Sequence, residues 1–313
     1  PLPGWTRLDR GVLPPAPLLR TTDADSDAVV LAALASDERR PGHALLPAPL
    51  PLAPMEETHV VTCFLRNRGA VLLFRRSEDV GSYTGRWGAV AGHATEPGET
   101  DPDPDRAARR EIAEEADLAD AVTLVRRGEP FPVADPDLGK RWVVHPSLFD
   151  CETRDVTTNE ETTAFEWVPP TEILRRETVP DLWTSYDRVR PTVETVADDR
   201  EHGAASISVR ALEVLRDEAA LAVERDAGDW DSLASLARAL LAARPTMTVV
   251  ANRVNRVMAA AAEERTARAV EDATHEVIET AMDADETAAE AAADRLAGER
   301  IATLSRSGTV STA

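Results

Sequence analysis

The sequence predicts an α/β domain followed by an all-α domain. Three observations carry this. Between residues 58 and 170, β-branched apolar runs alternate with a Gly-punctuated loop and one well-signalled helix. From about Glu201 onward, apolar residues recur at steps of three and four instead. Ahead of both, residues 1–55 hold ten of the 22 prolines and read as an extended, poorly packed arm without assigned function. The expected boundaries are an arm over 1–55, an α/β domain over 56–198, a helical domain over 199–300 and a closing segment over 301–313.

Taken in order, THVVTCFLR (58–66) and AVLLFRRS (70–77) are strands, and Asn67, Arg68 and Gly69 between them make a hairpin turn. Residues 78–99 form a long loop with Gly at 81, 85, 88, 92 and 98, interrupted by one short strand, WGAVAG. DPDPDRAARREIAEEADL (101–118) is a helix, with Asp103 as N-cap, Pro104 at the first helical position and Asp105 in the first turn. Three further strands follow at 121–127, 140–151 and 162–170, then a short helix at 171–176 and one helix over 181–199. The helical domain reads as helices at 206–226, 231–243 and 249–264 and a long one from Arg265 to about Glu299. Residues 301–313 read as a strand, a Ser/Gly turn and the start of another helix.

The predicted helix crowds three like charges, Glu111, Glu114 and Glu115, into five positions. At ~100° per residue, with Glu111 at the origin, Glu115 falls near 40° and Glu114 near 300°, so all three share one side. Ala108, Ile112, Ala113, Ala116 and Ala119 fall between about 60° and 200°, on another. Like charges at these spacings cost a few tenths of a kcal/mol per pair. Two readings stand: a divalent cation offsets the repulsion, or water and salt wash an acidic face.

Composition gives the second reading weight. Asp and Glu number 56 against 35 Lys and Arg, for a net charge of −21, and Lys140 is the only lysine. Such a surface suits a cytosol of multimolar salt, where repulsion is screened, and predicts a haloarchaeal source. It argues against nucleic acid or an anionic membrane as partner. Two distant cysteines, Cys63 and Cys151, match no metal or redox spacing and read as small core residues. With no run of membrane-spanning length and no signal-peptide pattern, a cytoplasmic protein is expected.

The order of strand, Gly-rich loop, EPGE and a helix carrying REIAEE resembles the Nudix (MutT-type) hydrolase family, whose box is G-x5-E-x7-R-E-U-x-E-E-x-G-U with U apolar. Gly92 and Glu99 match the first glycine and glutamate, Arg110, Glu111 and Ile112 match R-E-U, Glu114 and Glu115 match E-E, and Leu118 the last apolar position. The flanking SYTGRWGAVAGH is similar to the family's approach to its box. The likeness covers roughly residues 58–190. It departs in spacing: six residues separate Gly92 from Glu99, and ten separate Glu99 from Arg110. Asp117 stands where the box has glycine, a position just past the helix where positive φ is common and Asp is tolerated.

The resemblance implies an α/β/α sandwich around a mixed sheet, and hydrolysis of a nucleoside diphosphate linked to another group, with Mg²⁺ or Mn²⁺ as cofactor. Glu99, Glu111, Glu114 and Glu115 would be metal ligands, with Glu111 alternatively an acid/base group. Arg110 would hold the carboxylates by charge-assisted bonds. A further acid would come from a later loop, with Glu160, Glu161 and Glu166 as candidates. Gly92, Trp87 and His93 are the expected substrate contacts; Tyr83 is a second stacking candidate. Plain readings stand beside these: Trp87 as core, His93 as surface, His145 as structural. A regulatory protein that binds such a ligand without cleaving it is the alternative.

The helical half has its own resemblance. HGAASISVRALEVLRDEA (202–219), ARPTMTVVANRVNRV (243–257) and TLSRSGTV (303–310) are similar to the family of the alpha, beta and delta subunits of translation initiation factor 2B. That family includes ribose-1,5-bisphosphate and methylthioribose-1-phosphate isomerases, and pairs a helical domain with a Rossmann-like one. The resemblance implies that 301–313 begins an incomplete Rossmann-like segment. His202-Gly203-Ala204 stands where some relatives have Arg-Gly-Ala, and the turn at 305–308 is placed to cradle a phosphate. Within residues 301–313 no cysteine stands after that strand where isomerase relatives place a catalytic one. The expected role of this half is to bind a nucleotide or sugar phosphate or to assemble the protein as a homo-oligomer, rather than isomerisation; a regulatory protein sensing a nucleotide or sugar phosphate is the alternative.

Overall fold

The computed structural model describes residues 56–95, 101–226 and 230–296. Two long strands form its spine. β1 (Glu56–Asn67) and β7 (Lys140–Cys151) pair in parallel, from Glu56 opposite Lys140 to Arg66 opposite Asp150. The other pairings are antiparallel. β2 (Ala70–Arg76) pairs with the end of β1, with β3 (Trp87–Gly88) and with β8 (Thr162–Val168). β4 (Val90–His93) lies along the first half of β1. β5 (Val122–Arg127) and β6 (Phe131–Asp135) take the two halves of β7. A parallel pair needs a crossover, and α1 (Pro104–Ala116) lies within the chain that makes it.

Alternation along the strands divides the core in two. Val61, Cys63, Leu65, Leu72 and Phe74 point one way and pack on Ala108, Ile112 and Ala116 of α1. Phe64, Val71, Leu73 and Leu148 point the other way, onto Ile173, Leu182, Tyr186 and Val189. Leu182 and Tyr186 belong to α2 (Leu182–Asp187). The result is the expected three-layer α/β/α arrangement around a mixed sheet. Both cysteines are buried and unbridged, as core residues should be.

The helical part packs α4 (Ala204–Glu224), α5 (Trp230–Ala243), α6 (Thr248–Ala260) and α7 (Ala267–Leu296) around one apolar cluster containing Leu212, Leu215, Leu240, Val254 and Val277. It docks on the turn between β1 and β2. Arg68 and Gly69 both have positive φ, 51° and 77°, as a tight primed hairpin turn requires. The Gly69 carbonyl accepts from Arg216 Nη1 at 2.7 Å. Arg66, 3% exposed, donates to Asp150 of β7 and Glu213 of α4 at 2.8 and 3.3 Å.

The structure departs from the sequence expectation in three places. The sequence predicts no element between 128 and 139, yet Phe131–Asp135 forms β6; a five-residue strand containing Pro132 is tolerated because it is an edge. WGAVAG is two strands, broken at Ala89, with different partners. The predicted helix over 181–199 is α2 plus α3 (Val193–Asp198). Pro191 bars the residue before it from continuing a helix, and Thr192 and Thr195 then form a capping box. The arm over 1–55 and the Rossmann-like segment over 301–313 lie outside the described residues, as does the turn at 305–308. Among the described residues no helix is long and apolar enough to cross a membrane.

Candidate active site

α1 begins and ends on local signals. The Asp103 side chain accepts from the Arg106 N–H at 3.1 Å, and Pro104 opens the helix. At the other end Asp117 adopts φ 56°, the left-handed conformation expected of the residue in the glycine position, and its N–H bonds to the Ala113 carbonyl at 3.2 Å. With Ile112, Ala108 and Ala116 pinned on the sheet, the three glutamates reach different depths. Glu114 is exposed, Glu111 is half-buried, and Glu115 is only 8% exposed. The face is therefore graded rather than washed evenly, and Ala113, placed with the apolar set by angle, is exposed.

β4 supplies the opposing wall. A Cβ on Gly92 would lie inside the Glu111 carboxylate, so any other residue must displace that carboxylate or the strand. Arg110 Nη2 donates to the His93 carbonyl at 2.8 Å and to Glu111 Oε1 at 2.7 Å, tying helix, strand and carboxylate together. Glu115 takes a backbone hydrogen bond from Ala91. Its pKa is pushed up to about 8, first by burial and then by the neighbouring Glu111, with the Ala91 bond and Arg76 opposing and Glu161 adding to the rise. Cys63 lies beneath; burial pushes its thiol up to about 12, which leaves it protonated and inert.

These groups edge a cleft of about 770 Å³. Gly92, His93, Arg110, Glu111, Glu114 and Glu161 line it, with Arg76 and Tyr83. A hollow of about 870 Å³ at the start of α1 contains none of the three glutamates. Of the three later acids, Glu161 alone lines the cleft; Glu166 is bonded to Arg176 at 2.7 Å. Trp87 does not line the cleft. Its ring sits 4.6 Å from the Arg176 guanidinium and packs with Val179 and Ile173 in the second core, the plain reading of that residue. Glu99 lies outside the described residues. Among the described residues no three His, Cys, Asp or Glu side chains stand together as a ready metal cage.

Arg76, Trp142 and Lys140 are cleft residues that escape sequence reasoning. Trp142 and Lys140 line the far wall. Their alternation within KRWVVH was visible, but the partner strand β6 that makes the wall was not. That Lys140 is the only lysine was the one available signal.

Residues 56–189 match the family model of the NUDIX domain. The nucleoside triphosphatase NudI of Escherichia fergusonii is 33% identical over 131 residues, which span 39% of this chain and 88% of the relative. The chain belongs to the Nudix family. The NudI of an Enterobacter species is 34% identical over 36% of this chain and 83% of its own length. Membership makes the Nudix domain a pyrophosphohydrolase by class. Solved structures similar to it include the MutT protein of Methanosarcina mazei Go1, at 23% identity over 43% of this chain and 94% of that one, with a TM-score of 0.36. The M. smegmatis Nudix hydrolase RenU is 24% identical over 42% and 84%, with a TM-score of 0.35. Behind the Nudix domain, residues 200–313 match the initiation factor 2 subunit family.

Proposed function

We propose that the Nudix domain hydrolyses a phosphoanhydride of a nucleoside triphosphate or another nucleoside diphosphate derivative, with Mg²⁺ or Mn²⁺ bound at Glu111, Glu114 and Glu115. The observation that carries this reading is the Glu111–Glu115 pair. One carboxylate is wedged against Gly92 at the cleft; the other is buried behind it with its pKa pushed up to about 8. Carboxylate oxygens are the donor set of a hard dication, so the residue types fit the ion, although these three do not close a cage among themselves. Glu99 would add a fourth carboxylate. When bound, such a cation neutralises the diphosphate and lowers the pKa of a water it carries. Arg110 holds Glu111 in one orientation, Gly92 gives it room, and Glu161 is the acid placed to accept a proton at the cleft. The similar relatives are nucleoside triphosphatases by name, which supports the substrate class.

A second reading, ligand sensing without turnover, is favoured by one observation: no three of the described acids form a closed cage. The helical half is read as the part that assembles the protein, as a homo-oligomer in a haloarchaeal cytoplasm. The test is phosphate or pyrophosphate release from a panel of nucleoside di- and triphosphate compounds with Mg²⁺ in molar KCl, which screens the net charge of −21. Turnover that disappears in Glu114→Gln and Glu115→Gln supports hydrolysis. Binding without turnover in the wild type supports sensing.

A further inference from the structure

The two ends of the cleft differ in chemistry. Glu111 and Glu114 mark one end; at the other, β6 and β7 present Val133, Val144, Trp142 and Lys140. Register sets the separation. Ala91, which bonds Glu115, stands opposite Thr62; Thr62 stands opposite Pro146; Trp142 comes four residues earlier on β7. At about 3.3 Å per residue along β7 and about 4.8 Å across each of the two strand pairs, that is about 16 Å between backbones, within reach of the ribose and base of a nucleotide whose phosphates lie at the glutamates.

The far end is built rather than incidental. Trp142 Nε1–H donates to the Tyr83 hydroxyl at 3.3 Å, and that hydroxyl donates to Asp135 Oδ2 at 2.7 Å. Asp135 Oδ1 in turn accepts the N–H groups of Asp137 and Leu138, both at 3.0 Å, at the tip of the β6–β7 hairpin. The indole's one donor is thus engaged and its plane is fixed, which leaves one ring face for contact beside the face that Lys140 covers. Lys140 Nζ sits 5.0 Å from the centroid of that ring. Among the described residues no carboxylate lies within ion-pair distance of it, in a chain with 56 Asp and Glu. An ammonium held over an indole rather than by a carboxylate, facing a cleft in so acidic a protein, points to an electronegative ligand.

We infer that Trp142 is the platform on which the substrate's nucleobase stacks, that Lys140 donates to an acceptor on the base edge, and that Tyr83 is a positioning residue acting through the indole. This rests on the nucleotide-hydrolysis reading above. An aromatic face accepts any base, because every base has a π-face. An ammonium is a point donor, and it separates bases by where their acceptors lie, a carbonyl oxygen being the strongest.

The test compares wild type with Trp142→Ala, Trp142→Phe, Tyr83→Phe and Lys140→Met on four nucleoside triphosphates and on inorganic tripolyphosphate, which has no base. Trp142→Ala is expected to raise KM about tenfold or more for all four, with kcat changed far less. Trp142→Phe should recover most of that loss, and Tyr83→Phe should fall between. Lys140→Met should level the kcat/KM ratios among the bases. Tripolyphosphate turnover should follow none of these changes. Equal losses on tripolyphosphate, or wild-type base ratios in Lys140→Met, would overturn the inference and leave hydrolysis standing. If the wild type turns over nothing, calorimetry with nucleoside monophosphates decides: weaker binding by Trp142→Phe and Trp142→Ala sustains the platform, and no binding by the wild type sinks both readings.

Discussion

The Glu111 carboxylate occupies the space that a side chain on residue 92 would need. Gly92→Ala must therefore displace either the glutamate or β4. The expected result is a loss of hydrolysis of at least about a hundredfold, for a misplacement on the order of 1 Å. The accompanying destabilisation should be about 1–3 kcal/mol, as for other overpacked sites. Steady-state kinetics beside a urea melt separates the two. A fully active, equally stable Gly92→Ala enzyme would show that Glu111 is free to relocate.

Cation binding should register in stability even without substrate. Because the folded state holds Glu111 and Glu115 together and the unfolded chain does not, saturating Mg²⁺ or Mn²⁺ should raise Tm. At a hundredfold excess over Kd the gain is about 2.7 kcal/mol. Glu115→Gln should abolish that increment while leaving the metal-free melt at about pH 7 little changed, since a carboxyl with its pKa pushed up to about 8 is already mostly neutral there and Gln keeps its shape. Differential scanning calorimetry with and without Mg²⁺ makes the comparison, and an increment that survives in Glu115→Gln would move the cation elsewhere.

The junction between the halves should be sensitive to acid. Burial works to raise the pKa values of Asp150 and Glu213, but Arg210 and Arg66 outweigh it and hold both below their ordinary values. A folded pKa below the unfolded one gives stability that is present above the unfolded value, about 4 for a carboxylate, and lost as pH falls through the folded one. Urea midpoints should thus drop steeply below about pH 4. Glu213→Gln leaves Arg66 and Arg210 undercompensated and should cost about 3–5 kcal/mol at pH 7. Its further loss on acidification should be smaller than the wild type's; an unchanged slope would place the acid sensitivity outside this network.

Gly69 is the second glycine with a structural reason. It has φ 77°, and a Cβ there would come within 2.9 Å of Ile278 Cγ2 on α7. Gly69→Ala is expected to destabilise by about 1–3 kcal/mol through strain and a clash across the junction. Adding Ile278→Val should not restore full stability, because the positive φ remains. Chemical denaturation of the single and double variants tests this, and full rescue would show that the clash alone mattered.

Local signals in the sequence carried much of this molecule. Asp103 and Pro104 start α1 and Asp117 ends it, and each acts through neighbours three or four residues away. The hairpin turn at 67–69 and the strands β1, β2, β5, β7 and β8 were equally visible, since β-branched runs and a turn residue identify themselves. Gly92, His93, Arg110, Glu111 and Glu114 were named through the resemblance to the Nudix box and its flanking loop, and the fold brings them to one cleft. β6 was hidden because its length and Pro132 give a weak signal until β7 is beside it.

By itself the sequence determined the order of elements, the two-part architecture and the acidic cluster, because helical and strand periodicity and capping act over a few residues. Only the tertiary structure decided the depths of the three glutamates, the exclusion of Trp87 and the recruitment of Trp142, Lys140 and Glu161. Those outcomes depend on which strands pair and in what register. That choice is set by contacts across scores of residues, such as Val61 against His145, and no short stretch of chain encodes it.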